Sequence, residues 1–260
     1  MDTAIELNKV FVTSGDVDIL KDISVSFPKN KSTVIIGPSG CGKSTLLKAA
    51  AGIRSIESGE VIIDGIEFMK MTEKEYLNFR KQNGFVFQDA ALWENTNVFK
   101  NLSLPLEFHY RELSKQEIET MVNKFLTRTG LMGQEHLRPA QLSIGEKKIV
   151  SFLRAVMVKP KYLFMDEPTQ SIDSKVVDAI SGIIRELRNI GCTIITVTHD
   201  PEITSWLADY IVVLRNGELV EAGPLNEIAR SKDKYVRSIV SNALDDAAPY
   251  NENILDLLDQ

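Results

Sequence analysis

STVIIGPSGCGKSTLLKAAAG, residues 32 to 52, passes from an apolar run through a glycine-rich loop into a helical pattern. The loop GPSGCGKST, residues 37 to 45, matches G-x-x-x-x-G-K-[ST]. That spacing has a mechanism: Gly37, Gly40 and Gly42 let the backbone turn tightly and aim N–H groups at phosphate oxygens. Lys43 neutralises the β/γ-phosphates and Ser44 is placed to ligate Mg²⁺. The whole loop is the expected nucleotide-binding set: Gly37, Pro38, Ser39, Gly40, Cys41, Gly42, Lys43, Ser44 and Thr45. Cys41 reads as a small filler.

Working outward, other apolar runs recur with helical patterns between and after them. GFVFQ (84–88), KYLFMDE (161–167) and TIITVTH (193–199) read as buried strands. Ser114 with Glu117 forms a capping box ahead of apolar residues at helical spacing. Val176, Val177, Ile180, Ile183, Ile184 and Leu187 repeat that spacing, and Gly191 is placed to end the helix. Asp200-Pro201 reads as N-cap and first helical residue. Buried strands alternating with helices predict an α/β fold around a mostly parallel sheet. Residues 4 to 27 alternate like antiparallel strands, and Asn216-Gly217 between apolar runs predicts a hairpin. Residues 89 to 155 are mainly helical in pattern.

LFMDE, residues 163 to 167, is an apolar strand ending in two carboxylates. Asp166 at the strand end suits Mg²⁺ through water, as P-loop enzymes require. Glu167 can accept a proton from an attacking water. His199 ends the next strand, where ligands collect in open α/β sheets. There it could hydrogen-bond a γ-phosphate or orient the water.

The bulk numbers bound the alternatives. Hydrophobic residues make up 43%, ordinary for a globular chain, and 260 residues can bury a real core. Net charge is −6, with 36 acidic and 30 basic residues, which disfavours a dedicated nucleic-acid binder. Two cysteines, Cys41 and Cys192, are too few for a disulfide scaffold and suit a reducing cytosol. No signal peptide and no run of about 20 apolar residues is read, so any membrane role is expected through a partner.

With these pieces in order, the chain resembles the ATPase subunit of an ABC transporter over nearly its whole length. QLSIGEKK (141–148) is similar to the signature LSGGQ, Gln88 to the Q-loop, SIDS (171–174) with Asp173 to the D-loop, and His199 to the switch histidine. The resemblance implies a P-loop NTPase with an N-terminal antiparallel β subdomain and an inserted α-helical subdomain. The expected boundaries are one domain over 1–243, with a nucleotide-binding core at 1–88 and 156–243 and a helical subdomain at 89–155. A C-terminal extension follows at 244–260. Glu167, His199 and Gln88 are the expected catalytic set, and Ser44, Gln88 and Asp166 the Mg²⁺ set. Phe11 either stacks on adenine or is a plain core aromatic. A second copy is expected head to tail, with each ATP also touched by Leu142, Ser143, Ile144, Gly145 and Glu146 of the other copy.

Ile144 stands where the family has its first signature glycine, and Glu146 where glutamine is common. A branched side chain restricts the backbone if the position requires φ > 0. Lys147 or Lys148 is expected to offset the charge of Glu146. Ser143, Gly145, Glu167 and His199 all survive, so an active ATPase with slowed dimer closure is expected.

The segment DAALWENTNVFKNLSLPLEFH, especially NVFKNLSLPL, and YVRSIVSNAL (235–244) are similar to ATPases of MCE/Mla-type phospholipid systems. That likeness implies integral-membrane permease partners, an MCE-type lipid-binding protein and a small regulatory subunit. It also implies a place on the cytoplasmic face of a bacterial inner membrane. Another cargo, such as amino acids or lipoproteins, and a soluble clamp without a membrane partner are the alternatives. Trp93, Phe99 and Leu102 read either as packing of the helical segment or as partner contacts. The tail PYNENILDLLDQ is read as a docking segment or a disordered end.

Overall fold

The computed structural model describes residues 2–170 and 172–244, residue 175 as backbone only. In chain order the elements begin with β1 (Thr3–Ser14), β2 (Val17–Pro28), β3 (Ser32–Ile36), α1 (Lys43–Ala50), β4 (Ser58–Ile63) and β5 (Ile66–Glu67). Then come α2 (Glu73–Lys81), β6 (Asn83–Val86), α3 (Val98–His109), α4 (Lys115–Arg128), α5 (Ile144–Val156), β7 (Tyr162–Asp166) and α6 (Ser174–Asn189). The order closes with β8 (Thr193–Val197), α7 (Pro201–Leu207), β9 (Tyr210–Arg215), β10 (Glu218–Pro224), α8 (Leu225–Ile228) and α9 (Lys234–Leu244). The proposed tail segment, from residue 245 on, lies outside the described residues.

Two compact units divide the chain. Met1–Tyr76 and Thr193–Gln260 form one, Leu77–Cys192 the other. The helical segment 89–155 lies wholly in the second, together with β6, β7 and α6.

In the first unit, β1 and β2 pair antiparallel, with β4 on the other side of β1 and β5 beyond it. A bulge sets what this sheet presents. Ile5 and Leu7 point inward, but the register shifts between Leu7 and Val10, and Lys9 sits at φ +49. The extra residue switches the alternation, so Val10 and Val12 become the buried pair and Phe11 turns outward.

The unit's other strands run β10-β9-β3-β8. β9 and β8 flank β3 in parallel, and β10 closes antiparallel on β9. All five residues of β3 and of β8 are buried, as an unbroken apolar run requires of a strand covered on both faces. Asn216 and Gly217 both take positive φ, +51 and +81, the geometry of the tight hairpin turn that the sequence predicts. α9 packs Val236, Val240 and Leu244 against Val34, Ile36, Ile211 and Val213.

In the second unit, β6 and β7 pair in parallel, and all of β7 is buried. α4 begins with the predicted capping box: Ser114 accepts from the Glu117 N–H while the Glu117 carboxylate accepts from Ser114. α6 ends at Gly191 (φ +85), with the Cys192 N–H returning to the Leu187 carbonyl.

Candidate functional site

In the first unit, the glycine-rich loop leaves the end of β3 and enters α1. Gly37, Gly40 and Gly42 have φ of +151, +75 and +103. A Cβ on Gly37 would lie 2.4 Å from the Leu214 carbonyl oxygen and 2.8 Å from Cys41 Sγ. On Gly42 it would lie 2.8 Å from Leu20 Cδ2 and 2.9 Å from the Ile19 oxygen. At Gly40 nothing crowds the position, so only its left-handed backbone calls for glycine.

Lys43 is 7% exposed, and its Nζ donates to the carbonyls of Gly37 (2.8 Å) and Pro38 (2.9 Å). The ammonium thus holds the loop in its curled form. Behind the loop, the Gly217 N–H donates to the Cys41 carbonyl (3.1 Å), and the Lys21 N–H to the Gly217 carbonyl (2.8 Å). Burial pushes the Cys41 thiol above its ordinary value, which keeps it a neutral filler.

His199 is exposed just beyond β8. In the parallel pair Ile35 lies opposite Val197, so Gly37 and His199 stand level at one edge, each two residues further on. Phe11, 36% exposed, lines a shallow hollow with Asn8, Lys9, Asp22, Ser24 and Glu60. Its outward position removes the plain core reading.

The second unit repeats the logic. Val86 pairs with Met165, so Gln88 and Glu167 stand level beyond β6 and β7. Asp166 is 1% exposed at the end of β7. Glu167 sits at φ +51, an uncommon backbone for a residue with a side chain. Lys148, on α5, is 5% exposed and its Nζ donates to the Glu167 carbonyl at 3.3 Å. Burial lowers the Lys148 ammonium, while Glu167 and Asp166 pull it back up.

The signature residues form the start of α5. Ser143 is its N-cap: Oγ accepts from the Glu146 N–H (3.2 Å), and the Glu146 carboxylate accepts from the Ser143 N–H (2.8 Å). Gln134 Nε2 donates to the other Glu146 oxygen (2.9 Å). The Ser143 N–H first, then Gln134, hold the Glu146 carboxyl below the usual range. The expectation that Lys148 offsets Glu146 is therefore corrected. Capping and Gln134 satisfy Glu146, and Lys148 reaches Glu167.

Ile144 is the first residue of α5, 70% exposed, and neither it nor Gly145 takes positive φ. Leu142 is buried. Asp173 is exposed ahead of α6, its carbonyl accepting from the Val176 and Val177 N–H groups. Ser171 of the same motif lies outside the described residues.

A groove of about 520 Å³ also belongs to the second unit, lined by Phe85, Phe87, Trp93, Leu104, Pro105 and Arg154 among others. Arg154, unremarked in the sequence, donates to the carbonyls of Ala91 (2.9 Å) and Ala90 (3.2 Å). Both alanines have positive φ, and the guanidinium lies 4.8 Å from the Trp93 ring centre. Burial lowers Arg154 to about 10. Arg154 was hidden, and the partner of Lys148 misjudged, because a basic residue on an amphipathic helix normally reads as solvated. Both are instead turned onto backbone carbonyls.

Chemically, the loop and Lys43 fit a polyphosphate. Of the residues expected to hold Mg²⁺, Ser44 lies in the first unit and Gln88 and Asp166 in the second, and each carries a hard oxygen. Among the described residues no group of three or more His, Cys, Asp or Glu is placed to hold a metal ion. No helix among the described residues is long and apolar enough to cross a membrane.

The ABC transporter family matches residues 20–170, and with that match the chain belongs to the family. It is an ATP-binding subunit of that class, a P-loop NTPase in fold, and its chemistry is ATP hydrolysis coupled to transport. Among named relatives, the methionine import ATP-binding protein MetN of Clostridioides difficile (strain 630) is 34% identical over 228 residues, 87% of this chain and 70% of that protein. The MetN of Haemophilus influenzae (strain 86-028NP) is 32% identical over 255 residues, 96% and 73% of the two chains. A dimeric ATP-binding cassette in a post-hydrolysis state with ADP and Pi superposes with TM-score 0.77 at 29% identity, over 85% of this chain and 98% of that one. An ATP-binding subunit of an ABC transporter gives 0.79 at 22% identity, over 92% and 100%, a likeness of fold alone.

These relatives carry a methionine name, which corrects the expected MCE/Mla affinity toward the amino-acid alternative. The phrase NVFKNLSLPL has a structural account instead. Val98, Asn101, Leu102, Ser103 and Leu106 are the buried face of α3, so much of the likeness is packing.

Proposed function

We propose that this chain is the ATP-hydrolysing subunit of a membrane importer, working as a head-to-tail pair with a second copy. The observation that carries the reading is the preformed phosphate loop, with three positive-φ glycines and a buried Lys43 bound to its carbonyls. The solved dimeric cassette supports the pairing.

In this reading the loop from Gly37 to Thr45 holds the triphosphate, and Phe11 stacks on adenine. Ser44, Gln88 and Asp166 are the Mg²⁺ donors. Water attacks the γ-phosphorus, the bond to ADP breaks, and Glu167 takes the water's proton. His199 contacts the γ-phosphate. Ser143 and Gly145 of the other copy, at the positive end of α5, complete the phosphate contacts, and Asp173 faces the pair interface.

The groove lined by Trp93 and Phe87 is the surface offered to a permease, at the cytoplasmic face of the inner membrane. An amino acid, as for the methionine-importing relatives, is the favoured cargo.

Glu167→Gln tests the chemistry. Hydrolysis is expected to fall about 10²–10⁴-fold while ATP still binds and traps the closed pair. Parental turnover would overturn the base assignment. For cargo, the chain is purified from detergent-solubilised native membranes and its companions identified by mass spectrometry. An amino-acid permease supports the favoured reading. An MCE-type permease with bound phospholipid would overturn it.

A further inference from the structure

Among the described residues two lysines are buried, Lys43 and Lys148, at 7% and 5% exposure. Lys43 is met by the carbonyls of Gly37 and Pro38 in the glycine-rich loop. Lys148 has no role in the phosphate loop, yet an ammonium is kept from water only where something compensates it. What meets it is the carbonyl of Glu167, 3.3 Å away, with the carboxylates of Glu167 and Asp166 near enough to favour its charge. Glu167 is also the residue whose left-handed backbone, at φ +51, sets where its side chain points.

We propose that Lys148 is a positioning residue for hydrolysis: its tether to the Glu167 carbonyl keeps the backbone that aims the Glu167 carboxylate. This inference rests on the reading of Glu167 as the base. It adds a connection within one chain. α5 begins at the signature loop and carries Lys148 in its second turn, so a shift of the signature end is passed to Glu167 through five residues of rigid helix. The signature then sets the aim of its own chain's base besides touching phosphate on the other copy.

The test is a double-mutant cycle on the full chain in its assembled transporter with Mg-ATP, using Lys148→Met, Glu167→Gln and the pair. Lys148→Met is expected to lower kcat about 10- to 100-fold, the scale of a misaimed catalytic group, with KM within about twofold. The pair is expected to be no slower than Glu167→Gln alone, because Lys148 acts only through Glu167. Thermal unfolding of each variant controls for folding. If Lys148→Met does not fold, Lys148→Leu, which likewise lacks a donor, is carried through the same cycle. A pair that loses the full factor of Lys148→Met on top of Glu167→Gln would overturn the proposal. So would parental turnover in the lysine variant, or a rise in KM at unchanged kcat. Glu167→Gln at parental rate would instead overturn the base reading itself.

Discussion

The chain has two glycine-marked loops ahead of helices, and they treat their glycines differently. In the phosphate loop every marked glycine has positive φ, and two of them have a backbone oxygen within 3 Å of where a Cβ would sit. In the signature loop the first glycine position holds Ile144, at an ordinary helical start with its side chain in solvent. A motif letter is physically binding only where the backbone is left-handed or a neighbour closes in. In this chain alone neither condition holds at position 144, so its own backbone does not call for glycine there.

The contrast can be broken most forcefully at Gly37. Gly37→Ala is expected to cost about 2–4 kcal/mol of folding stability and to abolish ATP binding, read by chemical unfolding and nucleotide titration. A stable, ATP-binding variant would show the loop to be as tolerant as the signature.

Glu146 comes next. Its carboxyl is depressed below its ordinary value of 4.5 by the cap of α5. A depressed acid contributes stability above its unfolded pKa and loses it as pH falls through the folded one. Glu146→Gln keeps a capping side chain without that proton. Its stability is therefore expected to fall less than the parent's between roughly pH 5 and pH 3, in urea midpoints. Identical acid slopes would refute the capping account.

The smallest stability effect is expected at Ile144. Ile144→Gly should shift unfolding by only about 0.5 kcal/mol while raising turnover of the assembled transporter, because a branched exposed side chain leaves the partner-facing loop. Unchanged turnover would refute slowed closure and leave Ile144 a neutral substitution.

Much of this was legible in the sequence, for reasons that particular residues make clear. Ser114 with Glu117, Asp200-Pro201 and Asn216-Gly217 are local devices whose partners lie within a few residues, so their geometry is written beside them. The continuous apolar runs of β3, β7 and β8 could hardly be anything but buried strands. What was not legible depends on distant approach. The bulge at Lys9 that turns Phe11 outward needs both partner strands to be known. β4, β5 and α2 carry weak periodicity and escaped notice. Lys148 and Arg154 look like surface charge until their carbonyl partners, 19 and more than 60 residues away, are in place. Glycine need at the signature could not be judged from the letters, because the sign of φ is a property of the folded loop.

The small turn at Gly217 carries a consequence for how the protein is made. It donates to the Cys41 carbonyl and accepts from Lys21, so the phosphate loop is braced from behind by residues far apart in the sequence. On a ribosome the loop emerges about 170 residues before its brace. Until that late segment arrives, the nascent chain has the letters of a nucleotide site without its support. The loop's curled form thus draws on a residue made well after it, so support for the nucleotide site is a property of the folded unit and not of the local letters.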